Sequence, residues 1–153
     1  LPQGCRILGV PVLVTEQRPD VLGPTVPELG VQDLPRVPKT AFSMVGAAGP
    51  LLGDPKIRSV LLCGIEAQAC ILQTALDLLE RGLDVHVVVD ACSSRRFGAI
   101  WGVLGNFGGI WSLGGGFGRA VFGGFWGILP LIKEPSPDTG LILGGPLGVL
   151  GGP

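Results

Sequence analysis

The sequence predicts an α/β protein built on a parallel β-sheet. Three apolar, β-rich runs carry that prediction, at residues 10–17, 58–65 and 84–91. A helix with an apolar repeat of 3.6 residues lies between the second and the third. Strand, helix and strand within about thirty residues make a βαβ unit, whose crossover is right-handed.

Each element follows from its residues. VPVLVTEQ (10–17) is a β-branched run that turns polar at its end, as a strand buried in a parallel sheet does. RPDVLGPTVPELG (18–30) is rich in Pro and Gly and reads as mostly loop. RSVLLCGI (58–65) is the second strand. Leu72, Ala75, Leu76 and Leu79 then recur at i, i+3, i+4 and i+7 and define the helix face. Gly82 supplies its C′ stop, and DVHVVVDA (84–91) is the third strand.

Residues 97–127 differ in kind. Twelve of these 31 residues are Gly, and the stretch holds all three Trp and five of the six Phe. So much Gly disfavours a folded strand or helix, at about 1 kcal/mol per residue in an element interior. A membrane span over 97–132 has the length and two GxxxG pairs, Gly98/Gly102 and Gly105/Gly109, but Gly dilutes its apolar drive. Twenty-four of the 31 are Gly, Phe, Trp, Val or Leu, residues encodable with G and T alone. That composition favours a translated non-coding stretch, disordered or collapsed. The expected organisation is therefore a domain at 1–96, a Gly/aromatic-rich insert at 97–130, and an ordinary remnant with a Gly-rich tail at 131–153.

A chain of 153 residues accommodates one domain with a moderate core. Its net charge of −1 argues against a nucleic-acid platform, which needs clustered basic surface. Cys5, Cys63, Cys70 and Cys92 form no CxxC pair, and His86 is the single histidine. Neither a metal site nor any cofactor is expected from that set. Reduced thiols in an intracellular protein suit the cysteines best. The first residues, LPQGCRIL, have neither an initiator Met nor a leader-like segment, which suggests a fragment that starts in a helix.

The chemistry centres on GIEAQAC (64–70), where a buried strand hands over to a helix. Cys70 is either a nucleophile near free helix N–H groups, which stabilise a thiolate, or a small buried hydrophobe. Cys63, inside the strand, belongs to the core. His86 lies mid-strand and reads as a core or face residue. Lys39 alone reads as a solvated loop lysine.

The stretches VPVLVTEQRPDVLGPTVPELG, PKTAFSM, RSVLLCGIEAQACILQTALDLLERGLDVHVVVDACSSR and LIKEPSPDTG together resemble the isochorismatase-like hydrolase family. The resemblance covers residues 5–96 and 131–140. It implies a doubly wound parallel sheet in three α/β/α layers, here partial, with an irregular or disordered Gly-rich C-terminal part. It also implies a Cys–Asp–Lys triad at the strands' carboxyl edge. By motif Cys70 is the nucleophile and Lys39 the lysine beside it, which favours thiolate by Coulomb attraction. A cis peptide at Ile65–Glu66 is implied too, aiming the backbone N–H groups of Glu66 and Cys70 at a substrate oxygen. The segment carrying the family's Asp has no counterpart here. Its absence removes a central strand, exposes two sheet edges and leaves nothing to activate water.

The resulting expectation is a cysteine hydrolase fold for a small amide or a related C–N or enol-ether bond, impaired for want of the Asp. Alternatives are an interaction fragment that pairs with a second copy or another protein through the exposed sheet edge, and a membrane-associated fragment anchored by 97–132. The partner is a small-molecule substrate, not nucleic acid or membrane. The cytoplasm is the expected compartment, with nucleus or mitochondrion implied by resemblance.

Overall fold

The computed structural model describes residues 2–95, 120–123 and 139–144. Six strands form one sheet in the order β2-β1-β6-β3-β4-β5, and every neighbouring pair is parallel. They are β1 (Val12–Gln17), β2 (Arg36–Lys39), β3 (Ser59–Ile65), β4 (Asp84–Ser93), β5 (Ala120–Gly123) and β6 (Thr139–Gly144). The helices are α1 (Pro2–Ile7), α2 (Pro19–Leu22), α3 (Gly49–Leu52) and α4 (Leu72–Glu80), the last preceded by a π-helical turn at Ala67–Ile71.

Alternate strand residues feed two cores, because successive side chains point to opposite faces. Leu13, Val60, Leu62, Val85 and Val87 pack with Met44, Ile71, Ala75, Leu78 and Leu79 on one face. Val14, Leu61, Cys63 and Val88 pack with Cys5, Val10 and Val31 on the other. The sheet is therefore covered on both sides, which explains the unbroken apolar run of β3. His86 is 5% exposed within β4.

The expected strands are present, and β4 runs on to Ser93. The 18–30 segment is mostly loop, interrupted by the single turn of α2 and a 3₁₀ turn at Pro27–Leu29. The helix begins as expected after GIEAQAC and ends in a Schellman motif. Gly82 adopts φ 77°, its N–H donates to Leu79 O at 2.9 Å, and Leu83 N–H donates to Leu78 O at 3.1 Å. Its buried face differs from the expected one: Thr74, Ala75, Leu78 and Leu79 point inward, while Leu76 is 36% exposed. Docking against the sheet sets that face, where Leu78 and Leu79 join the core with Val60 and Val85.

Two further expectations need correction. The central gap does not exist, because β6 lies between β1 and β3 and pairs with both, Leu141 opposite both Val12 and Leu61. Among the described strands the edges are β2 and β5, with none opened in the middle. Nor is the whole Gly-rich stretch without strand, since Ala120–Gly123 pairs with β4 from Val85↔Ala120 to Val88↔Gly123. RAVF (119–122) is a Gly-free run with a β-branched and an aromatic residue, and an existing edge supplies the ladder for it. The remainder of 97–138 and the tail after 144 lie outside the described residues, including the segment considered for a membrane span. Among the described residues no helix is long and apolar enough to cross a membrane.

Candidate active site

The carboxyl ends of β1, β2 and β3 meet at one edge of the sheet. Gln17 and Lys39 are register partners at the ends of β1 and β2. β2 tolerates Pro38 because it is an edge strand whose outer N–H groups need no ladder partner. Arg18, at φ 43°, turns the chain out of β1 and its N–H donates to Lys39 O at 3.0 Å.

Lys39 is buried, at 8% exposure, and not the solvated loop residue its sequence context suggests. Its Nζ donates to Gln17 Oε1 at 2.5 Å, Ala41 O at 2.9 Å and Phe42 O at 3.1 Å, and lies 3.5 Å from Cys70 Sγ. Residues 31 apart in sequence thus form a buried cation–thiol pair. Cys70 itself is 3% exposed.

The turn that presents Cys70 needs two positive φ values. Gly64 adopts φ 137° at the end of β3, and Glu66 adopts φ 61° as the helix N-cap. The expected cis peptide at Ile65–Glu66 is absent, and the bond is trans. The left-handed Glu66 and the glycine reverse the chain direction instead. A second correction concerns the expected oxyanion hole. Cys70 N–H donates to Glu66 O at 3.0 Å, closing the first helical turn, so that amide is already engaged. Ala69 N–H shares the same acceptor at 2.9 Å. The amides of Ala67 and Gln68 precede these bonds and have no intrahelical partner.

Side chains brace the turn from two sides. Thr74 Oγ1 donates to Cys70 O at 2.6 Å and accepts from Met44 N–H at 2.9 Å, tying the Cys70 turn to the segment after Lys39. Glu66 Oε2 accepts from Gln68 Nε2 at 2.7 Å, and Oε1 accepts from Arg95 Nε at 2.7 Å. Burial pushes the Glu66 carboxyl up, but the Arg95 and Gln68 hydrogen bonds and the Arg95 charge outweigh it, so it lies below its ordinary value. Ser94 hydrogen-bonds Gln68 and extends the brace to the end of β4.

The four cysteines are free thiols. Burial, then the neighbouring Cys92 and Cys5 sulfurs, push the Cys63 thiol well up. Burial likewise raises Cys92, to about 11. Among the described residues no group of three or more His, Cys, Asp or Glu is arranged to hold a metal.

Sequence reasoning missed Gln17 and Thr74. The signal for Thr74 was a lone hydroxyl on an otherwise apolar buried helix face, four residues after Cys70. Gln17 gave only a polar strand end.

Residues 2–99 match the family model described as the isochorismatase domain. The isochorismatase domain-containing protein 2 of Homo sapiens is 55% identical over 146 residues, spanning 90% of this chain and 71% of the relative. That of Xenopus laevis is 46% identical over 150 residues, spanning 92% and 73%. A solved structure described as the MAR1 ribonuclease of Caenorhabditis elegans matches with a TM-score of 0.69 at 38% identity, covering 88% of this chain and 69% of that one. The nicotinamidase of Staphylococcus aureus matches with a TM-score of 0.62 at 13% identity, covering 78% and 80%, a likeness of fold alone. With its doubly covered parallel sheet, this chain belongs to the isochorismatase-like hydrolase family.

Proposed function

We propose that Cys70 is the nucleophile of a cysteine hydrolase site for a small amide or a related C–N or enol-ether bond, and that this chain performs the first half of the reaction far better than the second. The observation that carries the reading is the buried Lys39 ammonium 3.5 Å from Cys70 Sγ, at the carboxyl edge of a parallel sheet.

In the amide case Cys70 Sγ attacks the carbonyl carbon. The S–C bond forms as the C=O π pair moves onto oxygen. The Ala67 and Gln68 amides, which precede the first intrahelical bonds, serve as donors to that oxyanion together with the Glu66 amide. Collapse expels the amine, which takes a proton from the Lys39 ammonium and leaves an acyl-thioester on Cys70. Hydrolysis of the thioester then needs a base for water. Among the described residues, the groups hydrogen-bonded to Lys39 include no carboxylate. β6, TGLILG, which fills the sheet between β1 and β3, carries no acid. The resemblance puts the family's Asp on a central strand, so deacylation is the step that suffers here.

Intact-mass and peptide mass spectrometry after exposure to p-nitrophenyl acetate and a small-amide panel tests both parts. A stoichiometric adduct on Cys70, absent from Cys70→Ala, is expected, with at most slow turnover. No adduct on Cys70 would remove the nucleophile, and rapid multiple turnover would remove the impairment. One matched structure is described as a ribonuclease, so an RNA oligonucleotide belongs in the panel, and its cleavage would replace the amide reading. Four free thiols suit a reducing compartment. We accordingly place the protein in the cytoplasm, with nucleus and mitochondrion as the other arms of a fractionation experiment.

A further inference from the structure

We propose that Gln17 is the positioning residue of this site: it anchors the Lys39 ammonium beside Cys70 from a neighbouring strand. The inference rests on reading Cys70 as the nucleophile. Lys39 has three N–H donors and four acceptors within reach, three oxygens and the sulfur. The three oxygens are nearer, so they fix where Nζ sits, and the sulfur receives the charge at 3.5 Å.

Two of those oxygens, of Ala41 and Phe42, belong to the loop immediately after Lys39 and move with it. Gln17 is the acceptor from another strand, and its bond is the shortest, at 2.5 Å. The amide is oriented at both ends. Gln17 Nε2 donates to Thr40 O at 2.8 Å, and a carbonyl can only accept, so Oε1 must face Lys39. The parallel register Gln17↔Lys39 sets the two side chains at the same height on the sheet edge. A flexible four-carbon side chain thereby keeps one position.

The test compares alkylation of Cys70 by iodoacetate and by iodoacetamide, which differ by one negative charge, in the full chain with peptide-resolved mass spectrometry. The ammonium favours the anionic reagent, so the iodoacetate/iodoacetamide rate ratio reports its presence beside the sulfur. Lys39→Met sets the baseline, and the ratio should fall about fivefold, as expected of one unit charge a few ångströms away in a water-like dielectric. Gln17→Met should fall to that baseline, and adding it to Lys39→Met should change the ratio no further. Gln17→Asn, one methylene short, should fall between wild type and the baseline, and is read alone should Gln17→Met not fold.

An unchanged ratio in the Gln17 variants overturns the proposal, including the case where both rates change equally because the site has merely loosened. A raised ratio also overturns it, since the freed N–H would then have turned to the sulfur. Neither reagent needs turnover. A chain that forms no acyl adduct defeats the hydrolase reading and leaves this positioning test standing.

Discussion

Replacing Thr74 by Val tests the link between the nucleophile's turn and the lysine's loop. The two side chains have nearly the same shape, so the change removes a hydroxyl and adds a methyl without opening a cavity. Thr74 and Met44 are both fully buried, and the Met44 N–H loses its Thr74 acceptor in the variant. An orphaned buried donor costs about 1–3 kcal/mol. Cys70 O loses one partner too, but a carbonyl at this position retains a helical acceptor role, so its share is small. The expected destabilisation is about 2 kcal/mol, which lowers a urea midpoint by roughly 1 M for a domain of this size. Thr74→Ser separates hydroxyl from methyl: it keeps both hydrogen bonds, loses one methyl, and should cost about 1 kcal/mol. Equilibrium unfolding followed by circular dichroism measures both variants. A Thr74→Val midpoint within error of wild type, or a Thr74→Ser loss equal to that of Thr74→Val, would refute the reasoning.

Three other expectations concern the frame of the site. Gly64→Ala forces a side chain onto φ 137° at a buried strand end and should cost about 1–3 kcal/mol by thermal unfolding, where an unchanged Tm would contradict the turn geometry. Leu78→Ala should cost about 2–5 kcal/mol, while Leu76→Ala stays within roughly 1 kcal/mol, and the reverse order would restore the helix face expected from sequence. The Cys92 thiol, raised to about 11 by burial, stays protonated in the folded state while unfolded thiols ionise near 9. Its contribution is present below pH 9 and is lost as pH rises towards 11, about 3 kcal/mol in all. Chemical denaturation across that range should show a shallower decline in Cys92→Ala, and identical slopes would count against it.

What could be read from the sequence was what burial writes into composition. β1, β3 and β4 announce themselves because both faces of a parallel sheet are covered, leaving apolar runs at 12–14, 60–63 and 87–89. β2 stays silent because an edge strand needs neither, and PRVPK with two prolines resembles a loop until its pairing with β1 is known. β6 is hidden differently. GLIL within a Gly-rich tail has ordinary strand residues, but nothing local says that the last of the described strands enters the middle of the sheet. Long-range pairing decides that, and a one-dimensional reading has no access to it. The helix face was legible only in part: of the stripe Leu72, Ala75, Leu76 and Leu79, docking against the sheet buries Ala75 and Leu79, adds Thr74 and Leu78, and leaves Leu76 exposed.

The site divides along the same line. GIEAQAC alone left Cys70 undecided between thiol and nucleophile, and geometry cannot remove the choice by burial, since Cys63 and Cys70 are equally hidden, at 2% and 3% exposure. What separates them is company. Cys63 has other sulfurs for neighbours and a thiol pushed well up by burial, which keeps it an inert hydrophobe. Cys70 has an ammonium held by three oxygens from β1 and the Lys39 loop. A buried lysine so fully hydrogen-bonded is expensive to build for packing alone, because its charge must be desolvated whether or not a thiolate accompanies it. Lys39 Nζ faces the Cys70 sulfur at 3.5 Å, and the proposed function gives that contact a use. Under the proposed function, the sulfur that Lys39 faces adds to the electrophile, while β6, TGLILG, brings no acid to help release the product.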